Sequence, residues 1–136
     1  MRQKFVIVVA DDDLDDQDLI KRGLKDCKVE VEVKSVYNGL QLMDYLLKRE
    51  VYKKSKEIPD LILLDLNMPL MDGFEVLREI KAHGALRKIP LYVITTSRSK
   101  DDHKMAIEMG ANGFYSKGSS SKDIRRIMHE ICEECF

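Results

Sequence analysis

The chain lacks a surplus of charge of either sign: 24 Asp and Glu nearly balance 23 Lys and Arg, leaving a net charge of -1. Surfaces that bind nucleic-acid phosphates usually carry a clear basic excess, so no nucleic-acid partner is expected. No apolar run approaches the length of a membrane span, and the opening MRQKFVIVVADDD turns acidic too soon for a signal peptide. We therefore expect a cytoplasmic protein without membrane contact. Cysteine is scarce. Cys27, Cys132 and Cys135 make an odd set without an export signal, which predicts reduced thiols. Cys132 and Cys135 form a CxxC, but they fall at i, i+3 on a helical stretch. No second Cys or His pair lies at ligand spacing, so neither a metal nor a redox pair is expected there. His83, His103 and His129 are scattered and read as surface or helix-boundary positions. Repeats, low-complexity tracts and linkers are also missing, so the 136 residues read as one domain, 1–136, with its own core.

What is present alternates in a regular way. FVIVVA (5–10), LILL (61–64) and LYVIT (91–95) are continuous apolar runs, as expected of strands covered on both faces. VEVEVKSV (29–36) alternates apolar and charged, which suits a strand at a sheet edge, and FYSK (114–117) is a short fifth strand. Helical patterns fill the gaps. Leu14, Leu19, Ile20 and Leu24 form one stripe; Leu42, Met43, Leu46 and Leu47 follow a capping Asn38; Phe74, Leu77 and Ile80 follow a capping Asp72. Met105, Ile107 and Met109 mark a shorter helix that ends at Gly110. The last helix starts in the serines of 119–121 and lays down Ile124, Ile127, Met128, Ile131 and Cys135. Five βα repeats imply an α/β fold: a doubly wound five-stranded parallel sheet with right-handed crossovers. The alternating second strand belongs at an edge, which favours the order 2-1-3-4-5 of flavodoxin-like folds.

In such sheets ligands bind at the carboxyl ends of the strands, near the switch point between strands 1 and 3. Asp11, Asp12 and Asp13 follow strand 1, Asp65 follows strand 3, Thr95 ends strand 4 and Lys117 ends strand 5. Neighbouring carboxylates resist ionisation unless a cation joins them, and an oxygen-seeking ion such as Mg²⁺ suits such a site. A cation, an ammonium and a hydroxyl around one carboxylate make a cradle for a phosphoryl group. Met68, Pro69 and Gly73 shape the loop that exposes Asp65 at the tip of its apolar strand.

VVADD (8–12), LILLDLNMPLMDG (61–73), VITTS (93–97) and GANGFYSK (110–117) occur in this order and together resemble the receiver domain of bacterial two-component response regulators. The resemblance covers nearly the whole chain. It implies that Asp65 accepts a phosphoryl group from a phosphohistidine on a sensor histidine kinase or phosphotransfer protein. It implies Mg²⁺ held by Asp12, Asp65 and the backbone carbonyl of Asn67, with Asp11 acting through water. Asp12–Asp13 is an alternative register for the acidic pair, and Asp11–Asp12 is preferred because it follows Val9 and Ala10 directly. Thr95 and Lys117 would bind the phosphate, and Phe114 would be the aromatic switch that turns inward as Thr95 moves. Asn67 and Ser97 would tune the phosphoryl lifetime. The signal would pass to a downstream protein target, and a homodimer through the helix 4–strand 5–helix 5 face fits the same pattern.

Two departures stand out. Receivers usually follow the strand-5 lysine with proline, often cis; here Gly118 makes the bond either trans or cis at a cost of several kcal/mol. Phe114 lacks a hydroxyl, so a switch by ring packing is retained and one by a phenol hydrogen bond is not. The basic KREVYKKSKEI between Leu47 and Pro59 reads as a solvated loop. With ITTS and RKIP, it is similar to small stand-alone regulators that accompany bacterial phytochromes or hybrid kinases. Three alternatives compete. A haloacid-dehalogenase-type aspartyl phosphatase would use DDDLD (11–15) and leave the Asp65 loop unexplained. A calcium loop D-x-D-x-D starting at Asp11 lacks its glycine (Asp16) and its closing glutamate (Arg22). A degenerate, phosphate-independent receiver would not need the full set Asp11, Asp12, Asp65, Thr95 and Lys117.

Overall fold

Every residue of LILL is buried, and so is the first strand from Val6 onward, because both strands lie inside the sheet with helices over both faces. The computed structural model describes residues 4–118 and 120–136. Five parallel strands form one sheet: β1 (Lys4–Ala10), β2 (Glu30–Val36), β3 (Leu61–Leu64), β4 (Leu91–Thr95) and β5 (Gly113–Ser116). Their order is β2-β1-β3-β4-β5, as the alternation in 29–36 implied. Side chains on each strand point alternately to two cores. Val8, Ala10, Ile62, Leu64, Leu91 and Val93 pack towards one, and Ile7, Val9, Leu61, Leu63, Tyr92 and Ile94 towards the other.

The helices are α1 (Leu14–Leu24), α2 (Gly39–Leu47), α3 (Gly73–Ala82), α4 (Lys100–Glu108) and α5 (Ser121–Cys135). Side α1/α5 covers the second core with Ile20, Leu24, Ile124, Ile127, Met128 and Ile131. Side α2/α3/α4 covers the first with Leu42, Leu46, Val76, Leu77, Ile80 and Ala106. The expected caps form: Asn38 accepts the Gln41 N–H at 2.7 Å and Asp72 the Glu75 N–H at 3.0 Å. Asp13 caps α1 by accepting the N–H groups of Asp15 and Asp16, so the aspartate run is a helix start and not a calcium loop. α5 opens at Ser120 and Ser121; Ser119 of the expected start lies outside the described residues.

Three expectations need correction. Leu14 is 70% exposed, because it is the first residue of α1 and stands at the rim, before that helix reaches the sheet. Met105 and Ile107 are also exposed, at 41% and 42%; the residue α4 buries is Ala106 between them. Positions 105 and 107 cannot share a helical face at 3.6 residues per turn. Segment 48–58 is solvated as expected, and within it a 3-10 turn at Glu50–Tyr52 packs the Tyr52 ring edge-on against Tyr45, while Glu57 accepts the Tyr45 hydroxyl at 2.9 Å. The thiols are not all reduced. Cys27 and Cys132 are joined as a disulfide and Cys135 is free. Parity in the sequence could not reveal this; the fold lays α1 beside α5 and brings the end of one to the flank of the other.

Candidate functional site

β1 and β3 are neighbours with Ala10 opposite Leu64, so Asp11 and Asp65 leave the sheet side by side. Backbone bonds fix their departure: Asp65 N–H donates to the Ala10 carbonyl at 2.9 Å and Asp11 N–H to that of Val36 at 3.1 Å. Lys117 lies just beyond β5, its N–H donating to the Thr95 carbonyl at 2.6 Å. The Lys117–Gly118 bond is trans, since the described residues contain no cis peptide.

At this edge the carboxylate oxygens of Asp11, Asp12 and Asp65 come within 4.8 Å of one another. Asp11, Asp65, Thr95 and Lys117 are buried, whereas Asp12 faces solvent. The Lys117 Nζ sits 2.5 Å from Asp11 Oδ2, 2.8 Å from Asp16 Oδ2 and 3.4 Å from Asp65 Oδ2. One ammonium is thus shared by three carboxylates, with Asp12 as a fourth acid at the same point. Burial pushes the Asp11 carboxyl up to about 6, and the hydrogen bond from Lys117 only partly opposes this. Burial also works against the Lys117 charge, but hydrogen bonds to Asp11 and Asp16 and the charge of Asp65 outweigh it and hold its pKa above the ordinary value. The cluster is therefore short of positive charge, and its donors are all hard oxygens. That chemistry fits a divalent cation of the Mg²⁺ or Mn²⁺ kind.

The Asp65 loop is shaped by contact with its neighbours. Asn67 N–H donates to Asp65 Oδ1 at 3.3 Å, and Gly73 N–H to the Leu66 carbonyl at 2.9 Å. A Cβ on Gly73 would lie 2.5 Å from Leu66 Cα and 2.7 Å from the Asp65 carbonyl oxygen, so only glycine allows α3 to start this close. Leu66, Asn67, Met68, Asp72, Phe74 and Asp102 line an open cavity of about 350 Å³ beside the loop. The Thr95 hydroxyl oxygen accepts the Ser97 N–H at 3.4 Å, while the Ser97 hydroxyl donates to Asp102 Oδ2 at 2.6 Å. Ser97 is thus tied to the start of α4 and reaches the cavity through Asp102. Phe114, on β5, is half-buried against the first core.

Three participants escaped the sequence reading. Asp16 shares the Lys117 ammonium. The buried Gln17 amide donates to the carbonyls of Val9, Asp11 and Val36 at 2.9–3.0 Å, locking the ends of β1 and β2. His103 is exposed, as its surface or helix-boundary reading implied, but it also stacks on the Phe114 ring with centroids 4.7 Å apart and planes 8° from parallel. Only the acidity of 15–16 hinted at the first; the other two depend on how α1 and α4 are angled on the sheet.

Residues 7–129 match the family model of the response regulator receiver domain. The chain belongs to the response regulator receiver family. Receivers work in two-component signalling, taking a phosphoryl group from histidine kinases or phosphotransfer proteins and binding a divalent metal at an acidic cluster. Rcp1, a response regulator of Synechocystis sp., is 36% identical over 93% of this chain and 85% of its own length. The crystal structure of the phosphorylated cyanobacterial phytochrome response regulator RcpA superposes with a TM-score of 0.92 at 35% identity, covering 97% of this chain and 94% of RcpA. The Mn²⁺-bound form of Rcp1 gives a TM-score of 0.88 at 36% identity, over 93% of this chain and 91% of that one. This receiver thus has solved relatives named as phytochrome regulators, and among the described residues no helix is long and apolar enough to cross a membrane.

Proposed function

We propose that Asp65 is the phosphoryl acceptor of this receiver, with Lys117, Thr95 and the acids Asp11 and Asp12 as its working partners. The observation that carries this reading is the convergence of the Asp11, Asp12 and Asp65 carboxylates within 4.8 Å, beside the buried Lys117 ammonium. Asp12, Asp65 and the Asn67 carbonyl would hold Mg²⁺, with Asp11 acting through water. When bound, the ion neutralises the oxygens of the incoming phosphoryl group. An Asp65 carboxylate oxygen attacks the phosphorus, the N–P bond of the donor phosphohistidine breaks, and its electron pair returns to the imidazole. Lys117 stands 3.4 Å from Asp65 Oδ2, in place to pair with the new phosphoryl charge. Thr95 turns its hydroxyl from the Ser97 N–H towards that phosphoryl, and Phe114 repacks into the space released. This is a population shift between two packings, biased by a local charge.

The α4–β5–α5 face would carry the change to a downstream protein, and a homodimer through that face fits the same reading. Asn67 and Ser97 would tune the lifetime through the shared cavity. We place the protein in the cytoplasm, as a stand-alone regulator that catalyses only its own phosphorylation and dephosphorylation. The phosphorylated RcpA and Mn²⁺-bound Rcp1 structures support the chemistry. Intact-mass measurement after acetyl phosphate and Mg²⁺ tests it: the wild type should gain one phosphoryl group and Asp65→Asn none. An unchanged gain in Asp65→Asn would move the acceptor elsewhere.

A further inference from the structure

The α1–α5 layer holds a feature that phosphoryl chemistry does not use. Cys27, just after α1, and Cys132, on α5, have their Cα atoms 5.5 Å apart, within the usual disulfide span of about 4.4–6.8 Å. The approach is prepared one helical turn earlier. A Cβ on Gly23 would meet Met128 Cβ at 2.8 Å, so the two helices come this close only because position 23 is glycine. Gly23 precedes Cys27, and Met128 precedes Cys132, by the same four residues.

The pair is also reachable. Cys27 and Cys132 border a solvent-open cavity of about 140 Å³, lined as well by Asp26, Lys28, His129 and Glu133. Cys27 is the more exposed of the two; Cys132 is buried. Cys135 stands apart. Its thiol donates to the Tyr92 hydroxyl at 3.7 Å, and burial holds its pKa above the ordinary value, which disfavours the thiolate there.

We propose that Cys27 and Cys132 form a reversible thiol–disulfide site, set by low-molecular-weight thiols, that staples α5 to the end of α1. Opening proceeds by exchange. A thiolate from solution enters the cavity and attacks Cys27 Sγ; the bond to Cys132 breaks, and Cys132 leaves with the electron pair and takes a proton. A second external thiolate attacks the mixed disulfide, freeing Cys27 and producing one low-molecular-weight disulfide. Two electrons pass from the external thiols to the protein. Closure runs the same steps backwards with that disulfide as the oxidant. The link closes a loop of sequence separation 105, so it removes much of the freedom of the unfolded chain.

The full chain is equilibrated in buffers of stepped reduced-to-oxidised glutathione ratio, alkylated after denaturation, and weighed intact. At the oxidised end one cysteine should be alkylated, and at the reduced end three, with a transition that reverses when the buffer is exchanged. The thermal midpoint should fall by about 10 °C from the closed to the open form. Cys135→Ser should keep that fall, and Cys27→Ser should abolish it. Three alkyl groups at every ratio, or one at every ratio, would overturn the proposal. So would a Cys132–Cys135 link in the peptide map, or a midpoint indifferent to the ratio. Should Cys27→Ser not fold, the wild type and Cys135→Ser still decide the question.

Discussion

At the scale of single residues, Gln17 shows how the acidic edge is held in place. Its amide serves three carbonyls at the ends of β1 and β2, including that of Asp11, while its own oxygen finds no partner among the described residues. Removing the amide takes one hydrogen bond from each of these carbonyls, a net loss of about 0.5–1.5 kcal/mol per bond, although that of Val36 still accepts the Asp11 N–H. Gln17→Met should therefore lose roughly 2–3 kcal/mol in urea unfolding despite its similar volume; a loss under half a kcal/mol would show that the amide is replaceable by water. The acids and the lysine that meet at this edge were legible because apolar runs stop at them: VVA before Asp11, LILL before Asp65, and the short FYS before Lys117. Asp16 and Gln17 were not, since no run ends on them. They point inward only through the angle at which α1 lies on the sheet.

At the scale of elements, the β3–α3 connection shows a tight fit. α3 begins so close to Asp65 that a methyl group at position 73 would strike both Leu66 and the Asp65 carbonyl. Gly73→Ala must push that segment aside, at a cost of about 1–3 kcal/mol for overpacking. The displacement falls on the proposed acceptor itself, so phosphorylation by acetyl phosphate should slow along with the loss of stability; normal labelling in a destabilised variant would separate the two. α4 behaves in the opposite way. It buries Ala106, leaves Met105 and Ile107 in solvent, and lays His103 on the Phe114 ring. A stacked pair of this kind contributes about 0.5–1.5 kcal/mol beyond area burial. His103→Ala should cost about 1 kcal/mol and let the Phe114 ring flip faster, which aromatic NMR line shapes would detect. Periodicity made β2 readable as an edge and α5 as an amphipathic helix. It misled at α4, where the small residue faces the sheet and the large ones do not.

At the scale of the whole molecule, a near-neutral chain concentrates negative charge at one end of its sheet. Asp11, Asp16 and Asp65 converge there on Lys117, with Asp12 beside Asp11 and Asp65, from segments that only the parallel 2-1-3-4-5 order makes neighbours. The motifs revealed this convergence, because each marks one strand end and the strand order then follows. The disulfide stayed hidden, because it depends on helix-to-helix distance and not on strand order. Repulsion among the acids opposes folding without metal, and a bound divalent cation reverses the sign of that contribution. Binding confined to the folded state stabilises by about 2.7 kcal/mol at one hundred times the dissociation constant, so Mg²⁺ should raise the thermal midpoint by roughly 8–10 °C. Asp12→Asn removes one charge and one proposed ligand together. It should unfold at a slightly higher temperature than the wild type in EDTA, and its midpoint should hardly respond to Mg²⁺. Calorimetry in EDTA and across a Mg²⁺ series checks both halves. A variant that still gained the full increment would place the cation away from Asp12, and one less stable than wild type in EDTA would mean that the acids do not repel at all.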